Sequence, residues 1–206
     1  MRLRSQFATF AAALLSLIPV AAIAQSARVN APAPAFSATD SHEKSHSLDQ
    51  YRGKYVVLEW HNQGCPFTRK HYESGNMQNL QKEWTGKGVV WLTVISSAPG
   101  HEGYVTPGQE NDYLAKMHAA PTAALLDPEG KIGRLYNAKT TPDMFIIDPQ
   151  GKLIYTGAID NRPTTDTGDI QGADNYISDA LTAAMAGKPV AMPYTRAYGC
   201  SVKYRD

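Results

Sequence analysis

Residues 56–72 read VVLEWHNQGCPFTRKHY, and this stretch decides the fold. Its apolar, β-branched beginning, residues 56–60, predicts a buried strand, which the polar HNQG segment then ends. Cys65-Pro66 opens a segment with a helical pattern, because proline is favoured at the first position of a helix. The order strand, tight loop, cysteine and helix therefore predicts that Cys65 caps the N-terminus of a helix.

That position makes Cys65 a candidate nucleophile. The unpaired N–H groups and the positive dipole end of a helix stabilise a thiolate relative to a thiol. Arg69 and Lys70 follow in the next turn and add positive charge, so we expect the pKa of Cys65 to be low. The alternative is that Cys65 is a small buried apolar residue or half of a structural disulfide.

The first 24 residues have the pattern of a secretory signal peptide. Two arginines precede an apolar core over residues 7–23, and residues 22–24 (AIA) form a small-x-small cleavage site. The core is short for a membrane span. We expect a periplasmic or secreted protein with no membrane segment after cleavage.

Charge and cysteine content limit the function further. The 206 residues include 20 Lys and Arg against 19 Asp and Glu, and loss of the signal removes two arginines, which leaves 18 against 19. This balance gives no electrostatic basis for binding nucleic acid or anionic lipid. The two cysteines, Cys65 and Cys200, allow either one disulfide or two free thiols in an oxidising compartment.

Alternating strand and helix signals follow the cysteine. The helix after it has a weak point at residues 74–76 (SGN), where we expect a kink or a break. Residues 89–95 (VVWLTVI) predict a second central strand, and residues 148–151 (DPQG) predict a hairpin turn. With a further helix at residues 170–186, this order predicts an α/β fold with a mixed central sheet and helices on both faces.

The predicted organisation has four parts. They are the signal peptide at residues 1–24, an extended lead-in at residues 25–34, one folded domain at residues 35–188 and a tail at residues 189–206. The tail carries aromatic residues and Cys200, a composition that favours docking on the domain over free movement.

The ordered set of motifs resembles the thioredoxin superfamily. The matching pieces are residues 33–37 (APAFS), residues 48–53, the strand that leads to Cys65-Pro66, the Thr140-Thr141-Pro142 loop and the hairpin. Within that superfamily they resemble the redoxin group, which contains peroxiredoxin-like (alkyl hydroperoxide reductase/thiol-specific antioxidant) and thiol-disulfide interchange proteins. The resemblance covers residues 34–159 and implies a thioredoxin-like fold.

The resemblance also implies roles for single residues. Cys65 resembles the attacking cysteine of the family's Cys-x-x-Cys motif, and Thr68 stands where the second cysteine would be. Thr141-Pro142 resembles the cis-proline turn, whose preceding backbone lies beside the attacking sulfur and pairs with an extended substrate. Thr68, Thr141, Pro142 and Trp60 are therefore candidate substrate-binding residues, with the core as the alternative location for Trp60.

Glu59 is a third candidate catalytic residue, beside Cys65 and Cys200. It lies inside the apolar strand and is similar in placement to the buried acid of thioredoxins. A lone buried carboxylate is expected to have a raised pKa and can move a proton to or from sulfur. The alternative is that Glu59 reaches a sheet edge or pairs with a basic side chain.

These features predict an exported thiol-disulfide oxidoreductase without a cofactor. In this hypothesis Cys65 attacks a protein or small-molecule disulfide, and Cys200 resolves the mixed disulfide in place of the missing motif cysteine. The reductant is not identified by the sequence. A thiol peroxidase of the peroxiredoxin type is an alternative, although the proline and threonine of that family's peroxidatic motif do not precede Cys65.

Two further alternatives make the protein something other than a thiol enzyme. A permanent Cys65–Cys200 disulfide would tie down the tail and stabilise a non-enzymatic protein by roughly 4–5 kcal/mol in the chain-entropy model. A metal site built from Cys65, His61 and His71 is less well supported, because the spacing of these residues spans a loop. We expect His71 to lie at the surface of the helix.

Overall fold

A computed structural model of the protein describes residues 26–205. The expected signal peptide lies outside these residues. The strands are β1 (Ser37–Asp40), β2 (Ser45–Ser47), β3 (Val56–Trp60), β4 (Val90–Ile95), β5 (Ala123–Leu126), β6 (Thr140–Thr141), β7 (Asp143–Ile147), β8 (Leu153–Gly157) and β9 (Cys200–Ser201). The helices are α1 (Pro66–Glu73), α2 (Asn76–Gly86), α3 (Pro107–Lys116), α4 (Lys131–Tyr136) and α5 (Tyr176–Met185), with 3-10 turns at Leu48–Tyr51 and Thr167–Ile170.

Strand β3 lies in the middle of the main sheet, whose order is β2-β1-β5-β4-β3-β7-β8. It runs parallel to β4 and antiparallel to β7, so that Leu58 lies opposite Leu92 on one side and Phe145 on the other. The predicted hairpin is β7–β8. The sheet is therefore mixed, as the sequence predicts.

The two faces of β3 pack against different helices. Leu58 and Trp60 belong to a core cluster that includes Tyr136 of α4. Val57 belongs to the opposite cluster, to which α2 and α5 contribute Met77, Leu80, Trp84, Ile177 and Leu181. All five residues of β3 are buried because helices cover both faces. The predicted α/β fold class is confirmed.

The helical segment after Cys65 is broken at the predicted place. Helix α1 ends at Glu73 and α2 begins at Asn76, with Gly75 between them at φ +77°. Glycine adopts this left-handed conformation without the steric penalty of a Cβ atom. The break allows α2 to lay Met77 and Trp84 on the sheet while α1 holds Cys65 at the end of β3.

The tail folds back across the domain. Its strand β9 pairs with β6 in a separate two-stranded sheet and does not extend the main one. The N–H of Val202 donates to the carbonyl of Lys139 (2.9 Å), and the Tyr204 hydroxyl donates to the carbonyl of Ala138 (2.7 Å). At the other end of the chain, the backbone of residues 30–33 bonds to the β7–β8 hairpin.

Candidate functional site

Cys65 lies at the junction of β3 and α1. It is the N-cap of α1, with φ −71° and ψ 122°, and Pro66 occupies the first helical position. Hydrogen bonds within the short loop stabilise it. Gly64 N–H donates to the Asn62 side-chain oxygen (2.8 Å), and Cys65 N–H donates to the Asn62 carbonyl (3.0 Å). The predicted strand, loop and cap are present as described from the sequence.

The loop before Pro142 lies directly against the Cys65 sulfur. The Thr141–Pro142 peptide bond is cis, and Thr141 is almost fully buried. In the thiol form, Cys65 Sγ–H donates to the Thr141 carbonyl over 3.0 Å. Cys65, Thr141 and Pro142 are therefore brought together in one place.

The tail brings Cys200 to the same place. Cys200 lies opposite Thr141 in the antiparallel β6–β9 pair, and its backbone N–H donates to Cys65 Sγ over 3.4 Å. Both cysteines are free thiols in this structure. Cys65 is completely buried beneath the tail, whereas Cys200 is partly exposed.

The surroundings of the two sulfurs separate their pKa values. Burial opposes ionisation of Cys65, but the polar groups around the sulfur, which are the Cys200 thiol, the Thr141 side chain and the backbone N–H groups of Thr68 and Cys200, lower its pKa overall. Burial, the neighbouring Cys65 sulfur and the charge of Glu102 raise the pKa of Cys200 to about 12. Of the two thiols, Cys65 therefore loses its proton at the lower pH, and Cys200 is the one that stays protonated.

The cause of the low pKa differs in part from the one expected. Arg69 forms an exposed ion pair with Glu73, and Lys70 is buried with its ammonium group donating to the carbonyl of Arg162 (2.7 Å). Both side chains are thus engaged with partners other than Cys65. Polar groups of the tail and of the loop before Pro142, which lie beside the sulfur, replace the positive charge that the sequence suggested.

Glu59 is fully buried and accepts hydrogen bonds from four side chains. The donors are Tyr72 Oη (2.8 Å), Gln81 Nε2 (3.2 Å), Trp91 Nε1 (2.7 Å) and Thr93 Oγ1 (3.3 Å). Burial favours the protonated acid, but His61, Trp91 and Tyr72 lower the pKa of Glu59 overall. The expected raised pKa is wrong, because the carboxylate is neither isolated nor paired with Arg or Lys.

His61 and Glu110 form a second buried layer that the sequence reasoning missed. His61 Nδ1 is 3.7 Å from Glu59 Oε1, which is too long for a direct hydrogen bond. Burial lowers the pKa of His61, but the negative charges of Glu59, Glu110 and Cys65 raise it overall. Burial raises the pKa of Glu110, whose carboxylate has no hydrogen-bond partner among residues 26–205. The i, i+3 spacing of Glu110 and Tyr113 on α3 was the available signal, since the Tyr113 ring packs against the His61 ring with a tilt of 48°.

Trp60 and Thr68 do not line a substrate groove. Trp60 is fully buried, packs against Tyr136 and Phe145, and donates to Ser96 Oγ (3.1 Å). The side chain of Thr68 is also fully buried. Trp60 thus occupies the core, its alternative location, because Val56, Leu58 and Trp60 share the face of β3 that packs in one cluster. The buried Thr68 side chain is not a substrate contact, and Thr68 acts on Cys65 through its backbone N–H.

His71 is buried, which corrects the expectation of a surface position. Its ring nitrogens lie 2.9 Å from Asn76 Nδ2 and 3.3 Å from Tyr198 Oη. Burial lowers the pKa of His71 to about 4, so the ring is neutral. Tyr198 also donates to Asp160. These contacts fasten the tail to α1 just before Cys200.

Residues 26–205 contain neither a metal-binding cluster nor a membrane-spanning helix. Within residues 26–205, no group of three His, Cys, Asp or Glu side chains is placed to hold a metal ion. Over the same residues, no helix is long and apolar enough to cross a bilayer.

A cysteine capping α1 beside a cis-proline loop, in a mixed sheet with helices on both faces, defines a thioredoxin-like protein. The sequence profile of the AhpC/TSA family matches residues 29–156. The chain therefore belongs to the AhpC/TSA family, and the resemblance described from its motifs is confirmed. A search of proteins with curated functions gives no significant match.

Solved structures support the fold. An uncharacterized conserved protein from Geobacillus kaustophilus is 23% identical with a TM-score of 0.74, over 86% of this chain and 93% of that one. A hypothetical protein from Sinorhizobium meliloti 1021 is 20% identical with a TM-score of 0.71, over 88% and 97%. A protein described as a thiol:disulfide interchange protein, DsbE, from Chlorobium tepidum is 25% identical with a TM-score of 0.52, over 64% and 85%. The chain thus has an oxidoreductase-like redoxin fold.

Proposed function

We propose that this protein is an exported thiol-disulfide oxidoreductase in which Cys65 attacks and Cys200 resolves. The observation that carries the proposal is the contact between the two residues, with the Cys200 N–H 3.4 Å from Cys65 Sγ. A resolving cysteine must reach the attacking sulfur, and β9 holds Cys200 there. The missing cysteine of the Cys-x-x-Cys motif is thus replaced from the tail.

The reaction runs as two exchanges. The Cys65 thiolate attacks one sulfur of a substrate disulfide, and the other sulfur leaves as a thiolate that takes a proton from solvent. Cys65 is then uncharged in a mixed disulfide, so its charge no longer adds to the effect of burial on the pKa of Cys200. Cys200 loses its proton and attacks Cys65 Sγ, which releases the second substrate thiol. The substrate disulfide is reduced and the two cysteines are oxidised to a disulfide, which an external dithiol reduces again.

The other residues have supporting roles in this proposal. The Thr141 backbone next to Pro142 binds the substrate chain, as the resemblance implies. Glu59 acts at a distance: its carboxylate favours the protonated form of His61, and the positive charge of His61 favours the Cys65 thiolate. Residues 1–24 direct export, residues 35–188 form the reactive domain, and residues 189–206 supply the resolving cysteine.

Two cysteine variants test the central claim. The Cys65→Ser protein should lose exchange with a disulfide-containing protein substrate. The Cys200→Ser protein should accumulate a mixed disulfide on Cys65, which intact-protein mass spectrometry detects. Equal exchange rates in the wild type and both variants would refute the proposal. A reduction potential well below about −300 mV would instead support a permanent structural disulfide.

Export is tested separately on the expressed full-length chain. If residues 1–24 are a signal peptide, the processed protein begins at Gln25 and is found in the periplasmic or extracellular fraction. An intact N-terminus in the cytoplasmic fraction would refute the localisation and leave the cysteine chemistry unaffected.

A further inference from the structure

The residue before Cys200 passes unusually close to the site. Gly199 has φ +147°, a conformation that favours glycine. A Cβ atom added there would lie 2.1 Å from the carbonyl oxygen of Thr141 and 2.7 Å from its carbonyl carbon. The obstructing atoms belong to the backbone beside Pro142, which cannot rotate away as a side chain would. The residue immediately before Cys200 therefore cannot carry a side chain while the tail lies against β6.

The tail also closes the site to large molecules. Cys65 is 0% exposed beneath it. The closure is held by two backbone-paired positions, with Ser201 opposite Thr140 and Cys200 opposite Thr141. A polypeptide that brings its own sulfur to Cys65 along β6 needs the same backbone groups that β9 uses. It therefore binds by taking the place of β9.

We propose that the β6 edge beside Cys65 is a binding site for an extended polypeptide whose reactive cysteine directly follows a glycine, and that Gly199–Cys200–Ser201 is its built-in occupant. This inference rests on the proposed function, because it assumes that Cys65 exchanges with disulfides. It adds to the proposed function a class of substrate, namely a protein strand that contains Gly-Cys. It also adds a requirement for glycine at the position before the reactive cysteine. The geometry of residues 199–201 supports this inference. Backbone pairing with β6 provides affinity, and the close approach of the Thr141 carbonyl to Gly199 provides selectivity for glycine.

The step to be measured is a single exchange. In a Cys200→Ser protein, the Cys65 thiolate attacks the peptide sulfur of a peptide disulfide, and a coloured aromatic thiolate leaves. The new Cys65–peptide disulfide stays, because no resolving thiol is present. The released thiolate is followed by absorbance, and one is released for each peptide bound.

Three reporters carry the same leaving group. They are the peptide RAYGCSV, which copies residues 196–202, the peptide RAYACSV, and free cysteine. In the Cys200→Ser full-length protein, the glycine peptide should react faster than the alanine peptide by about tenfold or more, the rate ratio expected when a methyl group is forced against fixed backbone. In the urea-unfolded protein the two peptides should react equally, which shows that their intrinsic reactivities match.

A second variant tests the built-in occupant. Adding Gly199→Ala to Cys200→Ser forces the tail off Thr141, so both peptides should react several-fold faster while the preference for glycine persists. Gly86→Ala in the same background is the matched control, because a Cβ at Gly86 meets nothing within 4 Å and its rates should not change.

The outcomes are distinct. Equal rates for the two peptides in the folded protein, or no acceleration by Gly199→Ala, would overturn this inference and leave the proposed function intact if free cysteine still exchanges. Failure of all three reporters to react with Cys65 would overturn both.

Discussion

The backbone N–H of Cys200 donates to the sulfur of Cys65 over 3.4 Å, although 135 residues separate the two along the chain. The resemblance to thioredoxins implies a second cysteine at the position of Thr68, one helical turn from Cys65. Strand β9 of the tail instead places Cys200 beside Cys65, where it pairs with the loop before Pro142. In the proposed function, the reactivity of Cys65 therefore depends on whether the tail is in place.

The first prediction concerns the Cys200 thiol as a hydrogen-bond donor. The Cys200→Ala variant removes the S–H donor but keeps the backbone N–H, so the pKa of Cys65 should rise. The rate of alkylation by iodoacetamide, measured against pH, should show its inflection at a higher pH than in the wild type. Cys200→Ser keeps a donor and is the matched control, with a smaller shift expected. The same inflection in all three proteins would contradict this account.

The second prediction concerns Glu59 and the pH dependence of stability. The pKa of His61 is raised in the folded protein, so its pairing with Glu59 stabilises the fold below the unfolded His pKa and is lost as pH rises through the folded pKa. Glu59→Gln should therefore lower the free energy of unfolding by about 1–3 kcal/mol at about pH 6, and by less at about pH 9. Urea denaturation at both pH values measures this. A loss independent of pH would show that His61 does not take part.

The third prediction concerns the attachment of the tail through Tyr198. Its hydroxyl donates to Asp160 and lies 3.3 Å from the His71 ring. Tyr198→Phe should weaken tail docking by about 1–2 kcal/mol, so Cys65 should react several-fold faster with a bulky maleimide. Tyr194→Phe is the control, since Tyr194 is in the same tail but 70% exposed. Equal reaction rates in the two variants would show that Tyr198 does not hold the tail.

The fourth prediction separates core and groove roles for Trp60. Its indole packs on Phe145 and donates to Ser96, away from solvent. Trp60→Phe should lower the free energy of unfolding by about 1–2 kcal/mol while leaving the KM for a disulfide substrate unchanged. Denaturant titration and steady-state kinetics measure the two quantities. A raised KM in a fully folded variant would restore the groove role.

The features that the sequence determined by itself are local ones. The β-branched run at Val56–Trp60, the cap at Cys65-Pro66 and the break at Gly75 all follow from backbone preferences of adjacent residues. The family motifs follow in the same way, because each is a short stretch with its own conformational requirement. These pieces were sufficient to predict the mixed sheet and to place Cys65 between the central strand and the helix.

Tertiary structure alone decided which groups meet at that sulfur. The low pKa of Cys65 depends on Cys200 and Thr141, which are distant in sequence, and the lowered pKa of Glu59 depends on donors from other elements. The periodicity of a helix or strand shows which residues share a face, but it does not show what packs against that face. The buried positions of His71 and Trp60 therefore do not follow from the sequence. Desolvation and hydrogen bonding act through space, so the charge of a buried group is set by neighbours that only the folded chain brings together.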